Sequence, residues 1–285
     1  MSSVSDTCLF KKRRDHFLSQ LGDAIAIIPA ASLVTHHADC EYPFRQNSDF
    51  WYLTGFDEPD AIAVFLPHRS LGEQYVLFVL PKAPGIEVWN GIRAGVEGAV
   101  NQYEADMAHP IEEFPKRLAE YFNGAKDIAF RIGIHSKVEP VVLKVLGQRL
   151  SQLQRSGQGA PRLITPCPLI HNFRLIKEPH EIERMRKAAM ISAEAHELAR
   201  HAVMPGMNER QIQGLIENYF LDKGARGPGY NSIVAGGDNA CILHYTLNNA
   251  SLKDGDLLLI DAGCSLSDYY NGDITRTFPI NGKFT

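Results

Sequence analysis

Apolar residues in this chain fall either into short unbroken runs or into stripes of helical spacing. Ala24 to Ile28 (AIAII), Ala61 to Leu66 (AIAVFL), Tyr75 to Leu80 (YVLFVL) and Asp127 to Ile134 are too short for ordinary helices and predict strands. Phe10, Phe17, Leu18 and Leu21 share one helical face, and Ile111 to Phe122 and Glu139 to Leu153 show the same spacing. Strands alternating with helices imply an α/β sheet with helices packed on it. Ser151 to Pro168 is rich in Gly, Pro, Ser and Gln and reads as a linker. The expected division is therefore an α/β domain over 1–168 and a second domain over 169–285.

In the second domain a helix is predicted from Glu178-Pro179, with proline where its missing N–H costs nothing. Its expected inner stripe is Ile182, Met185, Ala189, Ala193, His196 and Ala199, which makes His196 a core or boundary residue, and Pro205-Gly206 stops it. Asn208 followed by Gln211 is a capping box opening a helix over 209–223, closed by Gly224. Ala240 to Leu243 reads as an apolar strand ending in His244. Leu257 to Ile260 reads as a strand buried on both faces; it ends in Asp261.

A second strand, about Asp273 to Pro279, alternates Ile274, Arg276 and Phe278 with Asp273, Thr275 and Thr277. Gly263 and the polar Ser265 to Asp268 supply a hairpin turn. Antiparallel neighbours lie about 4.8 Å apart, so the hairpin can bring Asp261 and Asp273 together. Each could instead cap its own turn. As a pair on an apolar floor they need a cation, or one must take up a proton.

Composition narrows the setting. The 285 residues carry a net charge of −4 with a pI near 6.3, which argues against a nucleic-acid partner. The basic run Lys11 to Arg14 reads as a solvated helix face. Five cysteines without C-x-x-C spacing are cytosolic usage, and no secretory signal or membrane-length apolar run occurs. The expected setting is cytoplasmic, with no membrane partner. The glycines of Gly224 to Tyr245 match neither a phosphate loop nor a dinucleotide fingerprint.

Two stretches carry a resemblance. Asp261-Ala262-Gly263 followed by G-D-I-T-R-T at Gly272 to Thr277 resembles the first two metal ligands of the pita-bread metallopeptidases, closest to bacterial aminopeptidase P. Independently, EYPFRQNSDFWYLTGF at Glu41 to Phe56 is similar to the N-terminal domain of that family. The resemblance implies a creatinase-like α/β domain followed by part of a pita-bread domain, and release of an N-terminal residue that precedes proline. It implies two divalent metal ions, expected to be manganese, with Asp261 holding one and Asp273 bridging both. Y-N-S-I-V and C-I-L-H-Y-T also match the family, which makes His244 the group that stabilises the tetrahedral intermediate and places Tyr230 in the substrate pocket. Trp89 stands where the family has a tryptophan overhanging that pocket. By itself each residue could equally be a packed aromatic or a satisfied core histidine.

Eleven residues separate Asp261 from Asp273, one more than the family motif usually carries, so the extra residue must sit in the turn or in a bulge. The family's remaining His and Glu ligands come from a second half that this sequence does not match. The expectation is thus a fragment, inactive alone, of a peptidase that forms a homo-oligomer at full length. A prolidase-type dipeptidase and a catalytically silent binding module are the alternatives.

Overall fold

The computed structural model describes residues 4–123, 125–156 and 161–284. It divides into two compact units, Met1–Leu175 and Ile176–Thr285.

The first unit runs α1 (Val4–Gln20), β1 (Ala24–Pro29), β2 (Thr35–His37), β3 (Cys40–Glu41), α2 (Ser48–Thr54), β4 (Ile62–Phe65), β5 (Tyr75–Val79), α3 (Pro84–Asn90) and α4 (Gly95–Asn101). It continues with β6 (Met107–Pro110), a 3-10 turn at Ile111–Glu113, α5 (Phe114–Tyr121), β7 (Asp127–Ala129), α6 (Glu139–Ser156), β8 (Arg162–Ile164) and α7 (Cys167–Leu175). Six strands form one sheet in the order β6-β5-β4-β1-β7-β8; only β4 runs against its neighbours. The expected apolar runs are its central strands. Their period of two feeds two cores: Ala26, Ile28, Phe65 and Leu77 point to one face, Ile25, Ile27, Val64 and Phe78 to the other.

Three expectations need correction here. Asp127–Ile134 forms a strand only to Ala129. The presumed linker contains β8, paired in parallel with β7 at the sheet edge, and of its Gly-rich centre 157–160 lies outside the described residues. Short edge strands carry too few apolar positions to stand out from a loop. The chain then divides one short helix later than expected, because α7 packs Leu169, Ile170 and Phe173 into the first unit's core.

The solvated basic face is also corrected. Lys11 and Lys12 are exposed, but Arg13 and Arg14 are buried. The Arg13 guanidinium lies 3.9 Å over the Tyr52 ring, and that of Arg14 lies 4.4 Å over Tyr75, donates to the Leu53 carbonyl and pairs with Glu104. Arginine is weakly hydrated, planar and rich in donors, so it can be buried against aromatic rings where lysine cannot.

The second unit runs α8 (Pro179–Ala202), α9 (Glu209–Asp222), β9 (Gly227–Pro228), β10 (Ile233–Gly236), a 3-10 turn at Gly237–Cys241, β11 (Leu257–Asp261), β12 (Cys264–Ser265) and β13 (Thr275–Pro279). Both helices start where expected, α9 on the expected capping box of Asn208 with Gln211 and α8 on one the sequence reading did not include, Glu178 with Glu181. The buried face of α8 differs from the expected stripe, however: Ile182 and Met185 are exposed, whereas Ala188, Ser192, Ala195, His196 and Ala199 face inward. Small residues let the strand segment behind them approach the helix axis. Strands β10-β11-β13 form an antiparallel sheet, with Val234, Leu258 and Ile260 packed toward α8 and α9.

β11 is not buried on both faces as its apolar run suggests. Leu257 is 43 % exposed and Leu259 half-buried, because α8 and α9 cover one face of this sheet, while on the other Leu259 meets a small cluster of Ile233, Ala235 and Tyr245. Among the described residues no helix is long and apolar enough to cross a membrane.

Candidate metal centre

Strand pairing decides where the two aspartates go. In the β11–β13 ladder Asp261 lies opposite Thr275, and the same register carries through the Ser265–Asn271 bridge, so Gly263 falls opposite Asp273. Asp261 and Asp273 are therefore diagonal neighbours on one face of the hairpin. Unbroken register on both sides also places the extra residue in the turn around Leu266 to Tyr270, where Tyr269 has a φ of 66°, and not in a bulge.

The glycines beside the aspartates have a steric cause. A Cβ on Gly263 would stand 1.9 Å from the Gly272 carbonyl oxygen, and one on Gly272 would stand 2.2 Å from Ser192 Oγ of α8. Only hydrogen at both positions lets α8, the Gly272 backbone and the Gly263 backbone stack. Ser192 donates to the Ala188 carbonyl and accepts from the Cys264 N–H, which seals this contact.

Behind the pair, His196 of α8 is buried as expected, and its Nε2 lies 3.0 Å from the Ala262 carbonyl oxygen. With Nε2–H donating to that carbonyl, the ring is fixed in one tautomer. Burial lowers its pKa, countered in part by that hydrogen bond.

Tyr230 approaches along β9, held by the Gly229 N–H bond to the Gly263 carbonyl. Its hydroxyl lies 2.5 Å from Asp261 Oδ1 and 3.1 Å from Asp273 Oδ1. Those two oxygens can be no further apart than the two distances laid end to end, within reach of metals spaced about 3.5–4 Å. One phenol proton cannot serve both carboxylates fully, so the arrangement calls for more positive charge than it contains. Burial and the two neighbouring carboxylates push the Tyr230 phenol well above its usual range. The donor set therefore fits a hard divalent cation. Among the described residues no third His, Cys, Asp or Glu converges on the pair; the clusters that do form are Asp49, Cys167 and His171, and Glu178, His180 and Glu181.

The backbone leading to His244 differs from the expectation. Ala240 to Leu243 is not a strand but the end of a 3-10 turn and the bend after it, and Leu243 is 90 % exposed. The strand of this region is β10, which no expectation from the sequence included. His244 is itself exposed, next to the buried Tyr245. Trp89 lies on α3 of the first unit, 86 % exposed.

Two family models match the chain. The model described as the aminopeptidase P N-terminal domain matches residues 10–129, and that of metallopeptidase family M24 matches residues 183–285. The Xaa-Pro aminopeptidase of Escherichia coli is 42 % identical over 279 residues, 97 % of this chain and 63 % of the relative. The chain is similar to the aminopeptidase P family over nearly its whole length. Its Haemophilus influenzae member is 40 % identical, and the solved structure of Pseudomonas aeruginosa aminopeptidase PepP superposes with a TM-score of 0.92 at 40 % identity, covering 98 % of this chain and 63 % of that one. A zinc-substituted E. coli aminopeptidase P in complex with product is a further neighbour, with a TM-score of 0.91. The chain spans about 63 % of the length of these family members.

Proposed function

We propose that this chain supplies part of the active site of a metal-dependent aminopeptidase that releases an N-terminal residue preceding proline. One observation carries the reading: two carboxylates from opposite arms of the β11–β13 hairpin converge on the single hydroxyl of Tyr230. Asp261 and Asp273 are the residues that would hold divalent ions, with Asp273 shared between two. Manganese suits their oxygen donors. When bound, the ions supply Lewis acidity toward a water and the scissile carbonyl.

The protein's own groups do the rest. His244, exposed and able to turn its ring N–H toward substrate, donates to the oxygen on which charge develops. Tyr230 holds the carboxylates at a fixed spacing and borders the peptide, and Trp89, exposed on α3 of the first unit, is proposed as a further substrate-binding residue. The setting is cytoplasmic, in keeping with five free thiols. At full length the enzyme is a homo-oligomer, which sedimentation measures.

Manganese titration of the complete gene product and of its Asp261→Asn and Asp273→Asn variants, followed by assay on an X-Pro peptide, tests the reading. Each variant should lose at least about tenfold in metal affinity, together with turnover. Wild-type binding and turnover in either variant refutes it. Because no third donor among the described residues joins the pair, residues 1–285 alone should hold one ion weakly and turn over no peptide at a useful rate. That same sparseness favours, as a second reading, a catalytically silent binding module, which strong activity of the complete gene product would remove.

A further inference from the structure

Glu209, the first residue of α9, is completely buried, and neither the sequence patterns nor the metal pair give it a role. Its Oε1 accepts from the Gly236 N–H at 2.8 Å and from Asn239 Nδ2 at 3.1 Å. Its Oε2 accepts from the Tyr245 hydroxyl and the Ala250 N–H, each at 2.8 Å. The Glu209 N–H in turn donates to the Ala250 carbonyl. Four donors fill the four acceptor sites that a carboxylate offers.

Those donors are not neighbours in sequence. Gly236 ends β10, Asn239 lies in the 3-10 turn, Tyr245 directly follows His244, and Ala250 closes the segment. A stretch of chain with no strand of its own is thus gripped at its beginning, middle and end by one side chain. Tyr245 is drawn inward, its ring among Ile233, Ala235 and Leu259 and its hydroxyl on Glu209, while His244 stays outside. The other end of the clamp is β10, whose Ile233 lies opposite Asp261. Glu209 therefore ties the backbone that carries His244 to the strand beside the first aspartate.

We infer that Glu209 is the positioning residue for His244, fixing the imidazole relative to Asp261 through Tyr245 and Gly236. This rests on the catalytic reading of His244 given above. An amide cannot replace the carboxylate. In a Glu209→Gln variant, whichever way the amide turns, its NH2 faces a backbone N–H, of Gly236 or of Ala250, and that donor loses its partner.

The test uses the complete gene product loaded with manganese, with Glu209→Gln, Tyr245→Phe, His244→Ala and the double variant Glu209→Gln/His244→Ala. Glu209→Gln should lower kcat about 10- to 100-fold on an X-Pro peptide, with KM and bound manganese unchanged. In His244→Ala the same substitution should lower kcat no further, because a loosened loop has nothing left to misplace. Amide hydrogen exchange supplies a second readout: residues 236–250 should exchange faster in Glu209→Gln, while β11 keeps its protection.

Unchanged exchange and unchanged kcat in Glu209→Gln overturn the clamp. A double variant much slower than His244→Ala overturns the link to His244. Faster exchange combined with a fully active His244→Ala overturns the catalytic reading while leaving the clamp standing. Should Glu209→Gln also lose β11 protection, Tyr245→Phe decides, since it removes one hydroxyl and keeps the ring. It should then reproduce a smaller kcat loss with KM unchanged, and wild-type kcat in it overturns the proposal.

Discussion

The two units solve the same packing problem differently. The six-stranded sheet of the first has core on both faces, so its central strands are apolar at every position and its polar burial includes arginines laid on aromatic rings. The three-stranded sheet of the second packs helices against one face, and its closest contacts are made by glycine, alanine and serine. Bulk builds the first unit and absence of bulk builds the second. The difference follows from what each unit brings together: the carboxylates of Asp261 and Asp273 need backbones close enough for short side chains to converge, whereas a scaffold needs buried area.

The sharpest break of this comparison is a methyl group. Gly263→Ala should separate the two arms of the hairpin and abolish manganese binding, at a cost of about 3 kcal/mol or more, since backbone and not a flexible side chain stands in the way. Metal affinity within twofold of wild type would show that the arms can yield. Alanine at a β-strand position of the first unit that already carries a side chain would bring no such clash.

Next in size is Arg14→Ala in the first unit. It removes a buried guanidinium from the Tyr75 ring, the Leu53 carbonyl and Glu104, and should cost about 2–3 kcal/mol in urea denaturation. Lys11→Ala, which breaks an exposed pair with Asp15, should fall within about 0.5 kcal/mol. Equal losses in both would return the whole basic run to the surface.

Tyr230→Phe should cost about 1–2 kcal/mol without metal and much less with saturating manganese, because the cation then replaces the missing donor. A loss indifferent to manganese would place the cation elsewhere. The wild-type phenol, its pKa raised in the fold, contributes stability that is complete below the unfolded value of about 10 and is lost as pH rises beyond it. A difference spectrum against Tyr230→Phe should show this phenolate forming later than an ordinary tyrosine.

The smallest effect is on the first unit in acid. Burial lowers the pKa of His68, His109 and His135, with neighbouring Arg69, Arg117 and Arg131 adding to it. Their neutral forms suit the fold, so stability is full above the unfolded value of about 6.5 and declines as pH falls through it. A melting temperature unchanged from neutral pH to well below that value would contradict this.

The sequence by itself determined the central strands, the Asn208 cap and the hairpin that brings Asp261 and Asp273 together. Each rests on local chemistry: an apolar run too short for a helix, a side chain reaching its own backbone, a carboxylate at a strand end beside a glycine. It misread β8 as linker, Ala240 to Leu243 as strand, Arg13 and Arg14 as solvated, and the inner face of α8, for one shared reason. Periodicity reports which positions are apolar, but burial depends on what another segment brings opposite them. Tertiary structure alone put Ala188 and Ser192 against Gly272, Tyr52 and Tyr75 under two arginines, and four distant donors around Glu209. Those contacts join residues remote in the chain, and no local pattern encodes a partner that only folding supplies.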